Sequence, residues 1–406
     1  MPDQEIVIVS AARTPFGRYG GSLKGLDYFD LGAIPMAEVL KRVNLPPETV
    51  EQVFWGVGDT APCKDVFTPV AARQTLLKAG LPPETVSLSL DKACVSAMSA
   101  IHLGCMAMKA GEIQAAIGGG ATSFSQEPLI VRNLRFGGFR IGDVKMEDPL
   151  FALGYKDFNP VSVDTDTVAQ EYGLTRQDQD QWAFRSHQRY GQAWQAGKFK
   201  DEMIPLTLPA AGKGSPEPAV LEIDEQYRAD ISLERLAKLP TIYGCRAITA
   251  GNAPGLNDGA TAVLFMTRAR AIELGLEPLA SIVAMTSIAM DASRMPEAPG
   301  LAMKKVLGLA GLGLEDIELI EINEAFAAVP LVSLRVLCDR DQARAQALEE
   351  RTNVNGSAIA IGHPNTASGA RIVMNLMYEL RRRGGGYAMG AICGGLAQAD
   401  ACVIKV

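Results

Sequence analysis

Histidine is scarce: the 406 residues include only His102, His187 and His363, which leaves few imidazoles to serve as a general base. Cysteine is thin and scattered, seven residues at positions 63, 94, 105, 245, 338, 393 and 402. No two have metal-ligand spacing, so a structural zinc site is not expected. A long chain with an odd number of thiols needs no disulfide framework, and reduced thiols point to a cytoplasmic protein. Positive charge is not in excess: 39 Lys and Arg face 46 Asp and Glu, a net charge of −7. With no basic block, neither nucleic acid nor a membrane surface is an expected partner. No apolar run reaches the ~18 residues of a spanning helix. The opening MPDQEIVIVSAARTPFG lacks a basic segment followed by a cleavable apolar stretch. It reads instead as a strand, Ile6 to Ser10.

Apolar residues make up 48% and charged residues 21%, a globular balance that supports real cores. At ~100–200 residues per domain, the length predicts two to four domains. Strand-like runs (Ala115–Gly118, Thr261–Met266, Gly390–Cys393) alternate with helical patterns (Leu31–Val43, Ser96–Ala110), which predicts an α/β fold. Two segments look like copies of one unit. Lys92-Ala-Cys-Val-Ser opens an apolar helix that Gly111 ends, before a strand running into Gly118-Gly119-Gly120. Ala367-Ser-Gly-Ala-Arg-Ile opens a second helix that ends near Gly384–Gly386, before a strand running into Cys393-Gly394-Gly395. The same number of residues separates Cys94 from Gly118 and Gly369 from Cys393. Two similar halves packed together follow.

Between them, about Ser125 to Ile248, charge and aromatics rise and strand patterns thin out. Thr175 with Asp178 predicts a helix start there, and Ala210–Pro218 a loop. This stretch reads as an inserted lid, the kind of element that binds the non-reacting part of a substrate.

Cys94 sits where the strand-like run Val86–Leu90 turns into a helix. Unpaired amides at such a turn favour a thiolate; the alternative is a small buried hydrophobe. His363, flanked by Gly362 and Pro364, reads either as a positioned base or as a turn residue with a structural hydrogen bond. His102 is expected in the core and His187 in solvent. Cys393 reads as a buried thiol or as part of an oxyanion-binding turn, since Gly394 and Gly395 let backbone amides approach a ligand. Asn323, after the apolar run Leu319–Ile322, reads as a helix N-cap, as a group that orients a water, or as both.

LDKACVSAMSAIHLG, TAGNAPGLNDGA, EINEAFA, NVNGSAIAIGHPNTASGARI and AICGG, in this order, resemble the thiolases. The resemblance runs from SAARTPFGRYGGSLK to the last strand and includes the lid segments GLTRQDQDQWAFRSHQ and GKFKDEMIPL. It implies duplicated α/β halves layered α-β-α-β-α with an inserted lid. The divisions would be 1–124 plus 249–278, a lid at 125–248, and 279–406. It implies an acyltransferase that condenses acetyl-CoA with an acyl-CoA, or cleaves a 3-ketoacyl-CoA with coenzyme A. Cys94 would carry the acyl group, His363 would take its proton, and Asn323 would hold a water. Cys393 would be the second acid/base, and the Gly395 amide would complete an oxyanion hole. Arg228 would lie beside the nucleotide of coenzyme A. Ala250, Pro254, Met295 and Phe326 would lie near the pantetheine or acyl group. No metal or redox cofactor is implied, and a homodimer or homotetramer is.

Departures from the family pattern cluster near the substrate: Ser96-Ala97, Ser357, Asn365, Thr366, Pro254, Pro160-Val161, and Leu396 and Ala397 in the last glycine-rich turn. They suggest an altered acyl pocket or altered CoA contacts. Two rivals remain: a ketoacyl synthase, which typically uses one Cys and two His, and a CoA-ester-binding subunit of a larger complex with weak or no turnover.

Overall fold

The computed structural model describes residues 5–58, 70–131, 134, 136–137, 139–151, 155, 157–208 and 220–406. Its strands are β1 (Ile6–Arg13), β2 (Gly17–Arg18), β3 (Gln52–Val57), β4 (Val86–Leu90), β5 (Ala115–Thr122), β6 (Leu206–Thr207), β7 (Val220–Leu221), β8 (Asn257–Thr267), β9 (Ala280–Ala289), β10 (Ile317–Ile322), β11 (Tyr387–Gly394) and β12 (Gln398–Lys405). Its helices are α1 (Tyr28–Arg42), α2 (Ala71–Lys78), α3 (Ser96–Ala110), α4 (Val161–Glu171), α5 (Arg176–Gln195), α6 (Leu233–Ala237), α7 (Arg268–Glu273), α8 (Ala298–Ala310), α9 (Ala328–Leu337), α10 (Gln342–Leu348), α11 (Ala358–Ile361) and α12 (Ser368–Arg383).

The duplication is visible in the sheet. Outward from its middle, one half runs β1-β8-β5-β3-β4 and the other β9-β12-β11-β10. Directions match at each step: antiparallel, antiparallel, then parallel. Even β4 has a remnant counterpart, a parallel bridge of Thr352 to Ile320. The halves meet through β1 and β9 over only three residue pairs, Ile6–Ile282, Val7–Ser281 and Ile8–Ala280.

Alternation along the strands decides the layers. On β1, Ile6 and Ile8 face a core shared with α3 and α12, whereas Val7 and Val9 face a second core with α1 and α2. On β11, Ala388 and Ile392 join the α3–α12 core, while Met389, Ala391 and Cys393 join a third core with α8 and α9. Helices α3 and α12 are thus the middle layer of five. Their inward-facing apolar side chains, among them Met98, Ile101, Ile372 and Leu376, are enclosed, at about 1.5–3 kcal/mol per large aliphatic group. They touch closely: an added methyl at Gly369 would lie 2.5 Å from the Met98 amide nitrogen.

Sequence signals translate locally. Asp27 caps α1, accepting from the Asp30 amide, so the helix starts slightly before Leu31. Helix α3 spans Ser96–Ala110 and stops at Gly111 (φ 78°), and α12 stops at Gly384 (φ 93°). Thr175 and Asp178 form a capping box at α5. Strands β1, β5 and β8 extend beyond the expected cores of their runs, because the β1–β8 and β5–β8 ladders continue past them. The loop expected at Ala210–Pro218 lies outside the described residues.

Four expectations need correction. One stretch, Ala93–Ala110, is long and apolar enough to cross a membrane. It is the middle-layer helix with the turn before it, and core burial accounts for its composition. Asn323 caps no helix: it follows β10 directly, and α9 begins only after the Ala327 N-cap. His187 is not solvated, with 3% of its surface exposed; helix α5 turns it inward against Tyr227. His102, expected in the core, is half-buried on α3, and burial lowers its pKa.

Candidate active site

The three-residue turn Ala93–Val95 carries Cys94 from the end of β4 to the start of α3. Ala93 adopts φ 50°, a left-handed conformation that strains a residue with a Cβ by about 1–2 kcal/mol. Hydrogen bonds hold the turn: Asp91 accepts from the Ala93 amide at 2.8 Å, and Ser96 accepts from the Lys92 amide at 2.8 Å. The Lys92 ammonium reaches the buried Asp400 on β12, at 2.6 Å, and so pins the turn to the other half.

His363 arrives from that half, in the loop between α11 and α12. Its Nε2 stands 3.2 Å from Cys94 Sγ. Its backbone N–H donates to Asn257 Oδ1 at 2.8 Å, and its Nδ1 lies 2.7 Å from Ser368 Oγ. Ser368 gives its own proton to the Pro364 carbonyl at 3.0 Å. It must therefore accept from Nδ1–H, which assigns the proton to Nδ1 and leaves the Nε2 lone pair facing the thiol. Burial, reinforced by Arg371, lowers the His363 pKa to about 3. The resting imidazole is therefore neutral, the form that can accept a proton.

Asn323 lies fully buried beneath, with Nδ2 3.4 Å from His363 Nε2. Arg371 donates to its Oδ1 at 3.5 Å and so fixes which end of the amide faces the histidine. Arg371 itself pairs with buried Glu321 and donates to Ser357. Ser357, one of the departures, is thus a member of this supporting network. At the end of β11, Cys393 is buried, and enclosure together with the nearby Cys94 sulfur pushes its thiol well above the ordinary range. It holds its proton at rest.

These groups line one cavity of about 320 Å³. It brings together Cys94, His363, Cys393, Gly395, Ala250, Pro254, Met295 and Phe326, with Asn323 packed just behind through its contact with His363. Arg228 is not among them. It lies with His187 and Arg235 in an adjoining depression, which shares Ala250 and Ala253 with the cavity. Sequence reading passed over Ser368, which fixes the tautomer, and Asn257, which holds the His363 backbone. Both sit in segments quoted above, but only the fold reveals whom they face. It also passed over Tyr155, Ser162 and Tyr243, which line the cavity too.

Residues 6–269 match the thiolase N-terminal domain and residues 276–406 the thiolase C-terminal domain. The chain is 40% identical over 403 residues to a probable acetyl-CoA acetyltransferase of Mycolicibacterium smegmatis, covering 98% of this chain and 100% of that one. It is 37% identical over 408 residues to an acetyl-CoA acetyltransferase of Syntrophomonas wolfei, covering 99% of each. Among solved structures, human mitochondrial 3-ketoacyl-CoA thiolase in complex with CoA superposes with a TM-score of 0.91. The two are 36% identical, and the match covers 99% of this chain and 98% of that one. Family domains spanning nearly the whole length, a shared fold and full-length relatives agree: this chain belongs to the thiolase family.

Proposed function

We propose that this protein is an acyl-CoA acyltransferase that works by ping-pong transfer through an acyl group on Cys94. It either condenses acetyl-CoA with an acyl-CoA or cleaves a 3-ketoacyl-CoA with coenzyme A. The observation that carries the reading is the Cys94–His363 contact at 3.2 Å, with the imidazole oriented by Ser368 to accept a proton. His363 takes the Cys94 proton as sulfur attacks the thioester carbonyl. Asn323 positions the water that helps bind the oxyanion. Cys393, protonated at rest, protonates the leaving enolate in thiolysis; after losing that proton it serves as the base in condensation. The amides of Cys94 and Gly395 form the second oxyanion hole.

In this reading residues 125–248 form the lid, with 1–124 plus 249–278 and 279–406 as the two halves. Arg228 holds the nucleotide end of coenzyme A in the depression beside the cavity. Ala250, Pro254, Met295 and Phe326 contact pantetheine or acyl group. Coenzyme A and its thioesters are substrates, and the chemistry calls for no metal or redox cofactor. The protein acts in the cytoplasm as a homodimer or homotetramer.

The cavity also bears on the acyl group. Leu150, Val161, Ile242, Met295 and Phe326 make it chiefly apolar, and no Lys or Arg lines it among the described residues. A distal carboxylate would enter without a counter-ion, so the reading is an uncharged acyl chain, with room beyond acetyl. The test is thiolysis of acetoacetyl-CoA beside medium-chain, branched and ω-carboxylated 3-ketoacyl-CoAs, with wild type run against Cys94→Ser. Turnover of uncharged substrates that falls at least about 10³-fold in the variant is expected. Absence of turnover on all of them would instead support a CoA-ester-binding subunit.

A further inference from the structure

The lid supplies one side chain at the reacting centre that the roles above leave unused. Tyr155 lines the cavity that holds Cys94, His363, Cys393 and Gly395. Its hydroxyl lies against the α-carbon of Gly395: a methyl group there would collide with that oxygen and stand 2.6 Å from the ring Cζ. Position 395 therefore accepts only glycine while Tyr155 occupies this place. The surrounding wall is apolar, made by Leu150, Val161, Met295 and Phe326, and no Lys or Arg lines the cavity among the described residues. Negative charge appearing on a substrate oxygen there forms in a poorly solvated space, where each hydrogen-bond donor added beside the His363 imidazolium counts for more than in water. A phenol keeps its proton through the neutral range and is such a donor.

We propose that Tyr155 is a catalytic hydrogen-bond donor whose hydroxyl, beside the Gly395 amide, stabilises the oxyanion formed at the Cys94-bound carbonyl. This rests on the thiolase reading above. As Cys94 sulfur bonds to the carbonyl carbon, the C=O π pair moves to oxygen. Collapse re-forms C=O and breaks the bond to the CoA sulfur, which leaves with the electron pair and receives the proton held by His363. Tyr155 donates a hydrogen bond throughout and keeps its own proton.

The test is Tyr155→Phe, which removes one oxygen and leaves the ring that packs against Gly395. The expected result is kcat lowered about 10²-fold with KM within a few-fold of wild type, at unchanged Tm. Acylation of Cys94 by acyl-CoA, followed by intact mass, should slow by the same factor. A variant within about two-fold of wild type in kcat and acylation rate overturns the proposal, as does a rise in KM alone. Either outcome leaves the thiolase reading standing as long as wild type turns over and Cys94→Ser does not. Wild type that turns over no 3-ketoacyl-CoA and gains no acyl mass on Cys94 sinks both.

Discussion

The tautomer of His363 depends on one hydroxyl. Ser368 accepts from Nδ1–H while donating to the Pro364 carbonyl, and both bonds are needed to leave Nε2 as the acceptor. Ser368→Ala removes this anchor and frees the ring to turn and to exchange tautomers. We expect kcat to fall about 10–100-fold with little change in KM, read from steady-state thiolysis; Ser368→Thr should restore part of the loss. At this scale the sequence was legible where a residue's neighbours in the chain announce it. Cys94 before a helix and His363 between Gly362 and Pro364 are of that kind. Ser368 and Tyr155 carry no such mark, since their importance lies in partners brought to them by folding.

Helix α5 shows the same limit for a whole element. Its capping box and length follow from Thr175 and Asp178, but which face it buries does not. Charged and aromatic residues alternate along it, and the polar ones are used inward: Trp182 Nε1 and Ser186 Oγ both donate to buried Glu324, at 2.8 and 2.7 Å. His187 accepts from the Arg228 amide at 3.3 Å and must be neutral to do so. Burial, with Arg228 nearby, lowers its pKa to about 4 from an ordinary 6.5. Between those values the unfolded chain binds the proton and the folded one does not, so stability falls as pH drops from 6.5 towards 4 and this contribution is spent below. The loss across that window is on the order of 3 kcal/mol from His187. Replacing His187 by Gln should flatten Tm against pH over that range, and an unchanged slope would count against this account. His363, whose pKa is lowered further, adds a slope of the same sign across this window, so the Gln variant reduces the slope rather than abolishing it, and the comparison is made at matched pH with His363 intact.

Across the molecule, the repeated unit was readable from Cys94 and Gly369 because α3 and α12 each stop at a glycine and each lead into a strand that runs into further glycines. The sheet order was not, since strand neighbours are set by long-range pairing. That pairing leaves β4 at the end of the sheet with no strand beyond it among the described residues, and Val86 and Leu88 on it are 58% and 42% exposed. Apolar, unprotected edges are sites of strand addition. We expect sedimentation velocity to give a dimer or larger species, and Val86→Lys to shift it towards monomer; a clean wild-type monomer would contradict the proposed assembly.

The seam between the halves bears on how such a chain can change by descent. Three residue pairs between β1 and β9 join the two halves of the sheet, and α3 and α12 pack together in the core the halves share. The leading ends of those two helices carry Cys94 on one side and His363 with Ser368 on the other. A descendant could therefore abandon turnover by changing either tip and keep its shape. It could not discard the helices and keep either. Selection for folding alone guards the helix bodies and is indifferent to their tips.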